Sequence, residues 1–162
     1  MDINTRQQDK PSFMRALTFA LRGIVYVFHT EANMKRHFWL FNLLALIELI
    51  LRPPADTVAI SIFIATCVFA AELFNTAIEL AVDAAVNFEY SRIAGLAKDA
   101  ASGAVAMVCF GSLFAAVYIL VHSTPWRFRL FSNVHPLSVV ILDVAIVIVW
   151  ALRFWPMSKH PK

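Results

Sequence analysis

The segment Ala71–Asp83, AELFNTAIELAVD, holds the residues best suited to chemistry: Glu72, Asn75, Glu79 and Asp83. On a helix turning ~100° per residue they fall at about 0°, 300°, 340° and 20°, all within about 80° of arc. Thr76 falls beside them, and Leu73, Phe74, Ala77, Ile78, Leu80, Ala81 and Val82 cover the rest of the circumference. An ionisable residue at the centre of a bilayer costs ~2.5–3.5 kcal/mol on insertion scales, so such a stripe needs a purpose. Carboxylates on one face repel unless a cation lies between them or one is protonated. Oxygen ligands with an amide suit a hard ion such as Mg²⁺, which takes one or two carboxylates and completes its shell with phosphate and water. No His-rich or Cys-rich set argues for zinc. The plainer alternative is a stripe of interhelical hydrogen bonds, or salt bridges to Lys98, Arg22 or Arg36.

Glu31 offers a further acidic ligand. It follows Thr30, a residue suited to capping a helix start, and can meet Glu79 at a similar depth. Lys98 and Asp99 suit contacts to a nucleotide's phosphate and to its base or ribose, or form an ordinary snorkelling pair. Ala97, Ala100, Ala101, Gly103 and Ala104 make a small face that lets their helix approach the acidic one closely. Neither G-x-x-x-x-G-K-[ST] nor G-x-G-x-x-G occurs, and the protein-kinase HRD and DFG elements are missing. Phosphoryl transfer here has to rely on metal, Lys and Arg without a P-loop.

The elements that position these residues are apolar runs. Residues 12–28 form an amphipathic helix capped by Ser12. Arg15, Thr18 and Arg22 share one face, and Phe13, Leu17, Leu21, Ile24 and Phe28 fill the other. That pattern suits a helix lying in the membrane interface, or one packed on the protein's own core. Spans are expected over 34–51, over 57 to about 83 with Asp56 as N-cap, over 100–121 and over 137–155; the stretches 84–99 and 122–136 are more polar. Eighteen residues at ~1.5 Å each just cover a bilayer core of ~30 Å.

Composition agrees. Of 162 residues, 60% are hydrophobic and 15% charged, and the mean hydropathy is +0.68. A soluble domain is nearer ~45–50% apolar. The net charge of +3 is too mild to suggest nucleic-acid binding. Cys67 and Cys109 sit in apolar runs without metal-ligand spacing and read as free lipid-facing or packing thiols. Residues 1–12 are polar and show no cleavable signal, so insertion falls to the internal helices.

Positive charge orients the chain. With four spans and an inside N-terminus, Arg6, Lys10, Arg15, Arg22, Lys35, Arg36, Arg92, Lys98, Arg153, Lys159 and Lys162 are inside. Arg52, Arg127 and Arg129 are outside, a count of 11 against 3. With three spans Arg153, Lys159 and Lys162 move outside, and the count becomes 8 against 6. The positive-inside bias therefore favours four spans with both termini cytoplasmic, and Trp126, Trp150 and Trp155 fit an aromatic belt.

The run Glu72-Leu-Phe-Asn75-Thr-Ala-Ile-Glu79-Leu-Ala-Val-Asp83, with Gly95-Leu-Ala-Lys98-Asp99 after it and Glu31-Ala-Asn33-Met-Lys35-Arg-His37 before it, resembles the prokaryotic diacylglycerol kinase and undecaprenol kinase family. The resemblance covers about residues 12–121. It implies an all-α integral membrane bundle, with an N-terminal amphipathic surface helix and three family-type spans. It also implies homotrimers with active sites shared between neighbouring subunits, in a bacterial inner membrane with the site on the cytoplasmic side. By that resemblance Glu72 is the general base for the lipid hydroxyl, and Glu31 and Glu79 hold Mg²⁺ on the ATP phosphates. Asn75 orients the site, Lys98 contacts phosphate, and Glu89 and Asp99 lie near the nucleoside. Asp83 supports the site, and Arg15 and Arg22 face phosphate.

The expected division is a polar tail over 1–11, a membrane lipid kinase domain over 12–121, and an outer loop, fourth span and cytoplasmic tail over 122–162. Asp143 in that fourth span reads as a partner for a neighbouring helix. His37, Asn33 and the run from Ala101 to Val105 resemble the undecaprenol branch more than the diacylglycerol one. A cation or proton transporter is the rival reading, since buried carboxylates also make ion pathways, though neither inverted repeats nor broken helices are seen. A catalytically dead scaffold is a third, against which the complete acidic set argues.

Overall fold

The computed structural model describes residues 12–122, 127–130 and 132–156. Arg6, Lys10, Trp126, Lys159 and Lys162 lie outside the described residues, as do the tail over 1–11 and the end of the chain after 156. Every regular element among the described residues is helical: α1 (Phe13–Thr30), α2 (Ala32–Leu51), α3 (Ala55–Ala85), α4 (Arg92–His122) and α5 (Pro136–Phe154).

The breaks between helices have local causes. One residue, Glu31, separates α1 from α2. Its extended backbone (φ −80°, ψ 128°) turns the chain while its N–H still bonds Val27 O. Thr30 is not the cap that its type suggests, because it ends α1 and donates back to Tyr26 O at 2.9 Å; Glu31 itself holds the N-cap position of α2. Arg52 in the left-handed region (φ 49°) ends α2, and Pro53 and Pro54 prevent the helix from continuing. Pro54, rather than Asp56, is the N-cap of α3; Asp56 lies in the first turn, where its carboxylate accepts the Thr57 N–H at 2.8 Å. Asn87 and Phe88 at positive φ reverse the chain after α3. Ser91 Oγ then accepts the Ala94 N–H, a capping bond for α4. Pro136 opens α5 at a position where its missing N–H has no helical partner to lose.

α4 begins eight positions before the expected apolar run, at residue 92 rather than 100, because its first two turns are polar. Hydropathy marks the part of a helix suited to lipid, not the ends of the helix. Charge distinguishes α2 from the other expected spans. By length and composition three helices suit a membrane crossing: α3, α4 from Arg92 to Val121, and α5. α2 is not among them, because Lys35, Arg36 and Glu48 fall within its 20 residues. It nevertheless doubles back on α3 through the short turn at 52–54 and packs against it.

Packing divides the bundle. α2 and α5 both contact α3, and α5 also contacts α1 and α2, whereas the backbone of α4 comes close to that of α3 alone among the described helices. One core cluster joins Val27, Phe28, Met34 and Phe38 to Phe69 and Leu73 of α3 and to Val149 and Leu152 of α5. A second joins Ala45, Val58 and Leu142. Trp150 Nε1 donates to Asn42 Oδ1 at 2.7 Å, and the His29 ring nitrogen lies 3.0 Å from Trp155 O, so α5 fastens to both α1 and α2. The extra helix is thus part of the fold's core. Asp143 on it is exposed.

The first half of α1 touches little. Phe13, Met14, Leu17, Phe19 and Leu21 are all exposed, and Arg22 lies 5.9 Å from the Phe19 ring centre. Burial starts at Val25. α1 therefore combines both readings of its sequence: its last turns pack on the core, and its first three leave an apolar face open, which suits a membrane interface.

Candidate active site

The acidic face of α3 turns inward. Glu72 is 2% exposed, and Asn75 and Thr76 are buried beside it. Helical spacing explains the contacts along this face. Asn75 Nδ2 donates to Glu79 Oε1 at 2.9 Å, an i,i+4 pair, and Thr76 Oγ1 donates to Glu72 O at 3.0 Å. The neighbouring helices supply the rest. α2 presents His37, whose Nε2 lies 3.1 Å from Glu72 Oε1; with the proton on that nitrogen the ring donates to the carboxylate. α4 presents Ser102, which donates to Asn75 Oδ1 at 3.3 Å, and Lys98, which pairs with Asp83. Cys109 Sγ approaches the same His37 nitrogen at 3.9 Å.

Glu31 and Glu79 stand near enough to Glu72 for their charges to act on it. Carboxylates from two separate stretches of chain therefore share one electrostatic neighbourhood around a buried position. Among the described residues no group of three or more His, Cys, Asp or Glu side chains is arranged to hold a metal by itself. The donors still fit Mg²⁺, because a site that shares the ion with phosphate needs only one or two carboxylates, and the oxygens of Glu31 and Glu79 with the amide of Asn75 are hard ligands.

Depth orders these residues. Counting from the Arg52–Pro54 turn as one boundary, a ~30 Å core takes up about 20 residues of α3, to the neighbourhood of Asn75. By that length count alone, Glu72 would fall just within an apolar layer, and Glu79 and Asp83 beyond it.

The sequence-derived residues separate into two groups. Glu31, Glu72, Asn75 and Glu79 come together, with Lys98 one helical turn further along. Arg15, Arg22, Glu89 and Asp99 are exposed, and none of the bonds that build the cluster involves their side chains. Lys98 is about one-third exposed and held by Asp83, the ion pair that the plainer reading of the stripe proposed. Sequence reasoning missed His37 as the partner of Glu72 and Ser102 as the partner of Asn75. The two residues of each pair belong to different helices, and no spacing rule links them. Cys109, read as a lipid-facing or packing thiol, is a free, half-buried thiol that packs beside His37.

Residues 18–120 match the prokaryotic diacylglycerol kinase family. A diacylglycerol kinase of Synechocystis sp. is 29% identical over 113 residues, which cover 70% of this chain and 65% of that protein. The chain therefore spans less than two thirds of this curated relative, and α5 lies beyond the family match. No solved structure matches. The family match takes in α2, α3, nearly all of α4 and every residue of the Glu31–Glu72–Asn75–Glu79 cluster, and on that ground the chain belongs to the prokaryotic diacylglycerol kinase family.

Proposed function

We propose that this chain transfers the γ-phosphoryl group of ATP to the hydroxyl of a membrane lipid alcohol. The observation that carries the reading is Glu72: a buried carboxylate, steadied by His37 and within electrostatic reach of Glu31 and Glu79. In the reaction Glu72 takes the proton of the lipid hydroxyl. The oxygen bonds to the γ-phosphorus, the bond from that phosphorus to the ADP oxygen breaks, and ADP leaves. Mg²⁺ held by Glu31 and Glu79 would offset the negative charge of the ATP phosphates. Asn75, fixed between Ser102 and Glu79, orients the acidic face. Lys98 turns from Asp83 to phosphate, and Arg15, Arg22, Glu89 and Asp99 serve the nucleotide from the exposed side.

The lipid is undecaprenol in this reading, for which His37, Asn33 and the run from Ala101 to Val105 speak; the relative's name points to diacylglycerol. The proposal includes a homotrimer with shared sites in the bacterial inner membrane, residues 12–121 as the kinase domain and a site facing the cytoplasm. Purified protein with radiolabelled ATP, Mg²⁺ and either undecaprenol or diacylglycerol tests it. Label should pass to the lipid fraction, to undecaprenol more than to diacylglycerol. Ion flux in liposomes with no lipid labelling would replace the kinase by a transporter.

A further inference from the structure

The two carboxylates assigned to Mg²⁺ are held very differently. Glu79 is fixed on α3, where Asn75 Nδ2 donates to its Oε1 at 2.9 Å. Glu31 is the single residue between α1 and α2, an elbow in extended backbone. Among the described residues its carboxylate has only the Thr30 hydroxyl, at 3.4 Å, and neither ion pair takes it. Where Glu31 points therefore depends on the angle between its two helices. Mg²⁺ is strict about such placement, accepting ligands at ~2.0–2.1 Å in near-octahedral geometry.

α5 reaches both helices of this elbow. On the α1 side Trp155 O, just past the end of α5, accepts from the His29 ring at 3.0 Å, two residues before Glu31. On the α2 side Trp150 Nε1 donates to Asn42 Oδ1 at 2.7 Å, and Asn42 Nδ2 is itself tied back to Phe38 O at 2.8 Å. The Trp150 ring lies 5.5 Å from that of Phe38 and stacks on Phe154 at 5.2 Å. Beside these bonds, Val149 and Leu152 pack on the cluster that joins Val27 and Phe28 before the elbow to Met34 and Phe38 after it. The brace has its own anchor, because Leu142 is buried with Ala45 of α2 and Val58 of α3. A helix pinned at one end to α2 and α3, and at the other to both arms, resists opening and closing of the elbow alike.

We propose that α5, which lies beyond the residues matched to the family, is a positioning element of the active site: through Trp150 and the Trp155 carbonyl it fixes the elbow so that Glu31 can share a metal ion with Glu79. The inference rests on the metal role proposed for Glu31 and adds the residues that enforce it. Loss of the brace leaves the donor set complete but poorly placed. Metal affinity falls, and the base is spared, since Glu72 belongs to α3.

The test is Mn²⁺ affinity, read by EPR on the full-length protein in detergent with the non-hydrolysable β,γ-methylene analogue of ATP, so that no turnover is involved. Trp150→Phe keeps a ring against Phe38 and loses the bond to Asn42; His29→Leu loses the bond to Trp155 O. Each should weaken Mn²⁺ binding ~3-fold and the two together ~10-fold, at the low end of the ~10–100-fold that outer partners of a metal site command. In kinetic assays the Mg²⁺ concentration for half-maximal activity should rise by the same factors, while kcat at saturating Mg²⁺ and KM for the lipid hold. If the double variant does not assemble, Asn42→Leu removes the Trp150 tie from the α2 side and should weaken Mn²⁺ binding as Trp150→Phe does. Glu31→Ala in the same EPR measurement separates the two readings. Weak Mn²⁺ binding by Glu31→Ala with parental binding by the brace variants would overturn the brace and leave the metal role of Glu31 standing. Parental binding by Glu31→Ala would remove Glu31 from the metal, and the brace with it. A fall in kcat at saturating Mg²⁺ with unchanged Mn²⁺ affinity would reduce α5 to a stabilising helix and overturn the proposal.

Discussion

The bundle buries two carboxylates almost equally, and they could hardly be more different in company. Glu48 of α2 is 3% exposed and Glu72 of α3 is 2% exposed. Glu48 meets one neutral partner, the Ser61 hydroxyl, which also lies 3.1 Å from Thr57 O. The apolar cluster of Ala45, Val58 and Leu142 is close by along the same helices. Glu72 meets His37 directly and has Glu31 and Glu79 near it. Burial taken alone therefore does not identify a reactive group. A lone buried carboxylate is made tolerable by a hydroxyl and joins two helices. A buried carboxylate surrounded by further charges is an unfavourable arrangement that a folded chain keeps for a reason other than stability.

Substitutions can break this contrast, and the largest effect belongs to Glu72. Glu72→Gln keeps the shape and removes the base, so turnover should fall ~10²–10⁴-fold with the oligomer and nucleotide affinity largely retained. Near-normal lipid phosphorylation by this variant would put the base elsewhere. Next come Glu31→Ala and Glu79→Ala. Each should raise the Mg²⁺ concentration for half-maximal activity by ~10-fold or more, at the scale on which even outer partners of a metal site act. The same Mg²⁺ dependence in both variants as in the parent would remove them from the metal site. The smallest effect is at Glu48. Glu48→Gln can still hydrogen-bond Ser61, so activity should stay within ~2-fold, with a loss of about 0.6 kcal/mol in resistance to SDS unfolding, the average for such interhelical bonds. A drop as deep as that of Glu72→Gln would erase the distinction between the two carboxylates.

How far each feature was legible in the sequence depends on how many helices it involves. The stripe of Glu72, Asn75 and Glu79 was readable because one helix fixes it, and the Asn75–Glu79 bond at 2.9 Å is the direct result. The partners were not: His37 lies 35 residues before Glu72, and Ser102 lies 27 residues after Asn75, separations that only tertiary packing converts into contacts. Apolar runs located all the helices, yet they misplaced the start of α4 at Arg92, since polar residues extend a helix beyond the membrane at little cost. They located α2 as well, whose Lys35, Arg36 and sheltered Glu48 make it the more charged partner of the apolar α3. Residue type failed at Thr30 and Asp56, good caps by chemistry, because Glu31 and Pro54 already held the positions where the chain turns.

The clasp of α5 on the start of the chain bears on how the protein is made. Trp150 bonds Asn42 from 108 residues away, and Trp155 meets His29 from 126. Val149 and Leu152 complete the cluster around Phe28 and Phe38. Contacts so distant in sequence form late and slow the approach to the native state. As synthesis proceeds, α1 and α2 leave these aromatic faces uncovered until α5 has emerged. Completion of this core therefore waits on the synthesis of α5, and a chain that stops before α5 leaves the cluster around Phe28 and Phe38 incomplete.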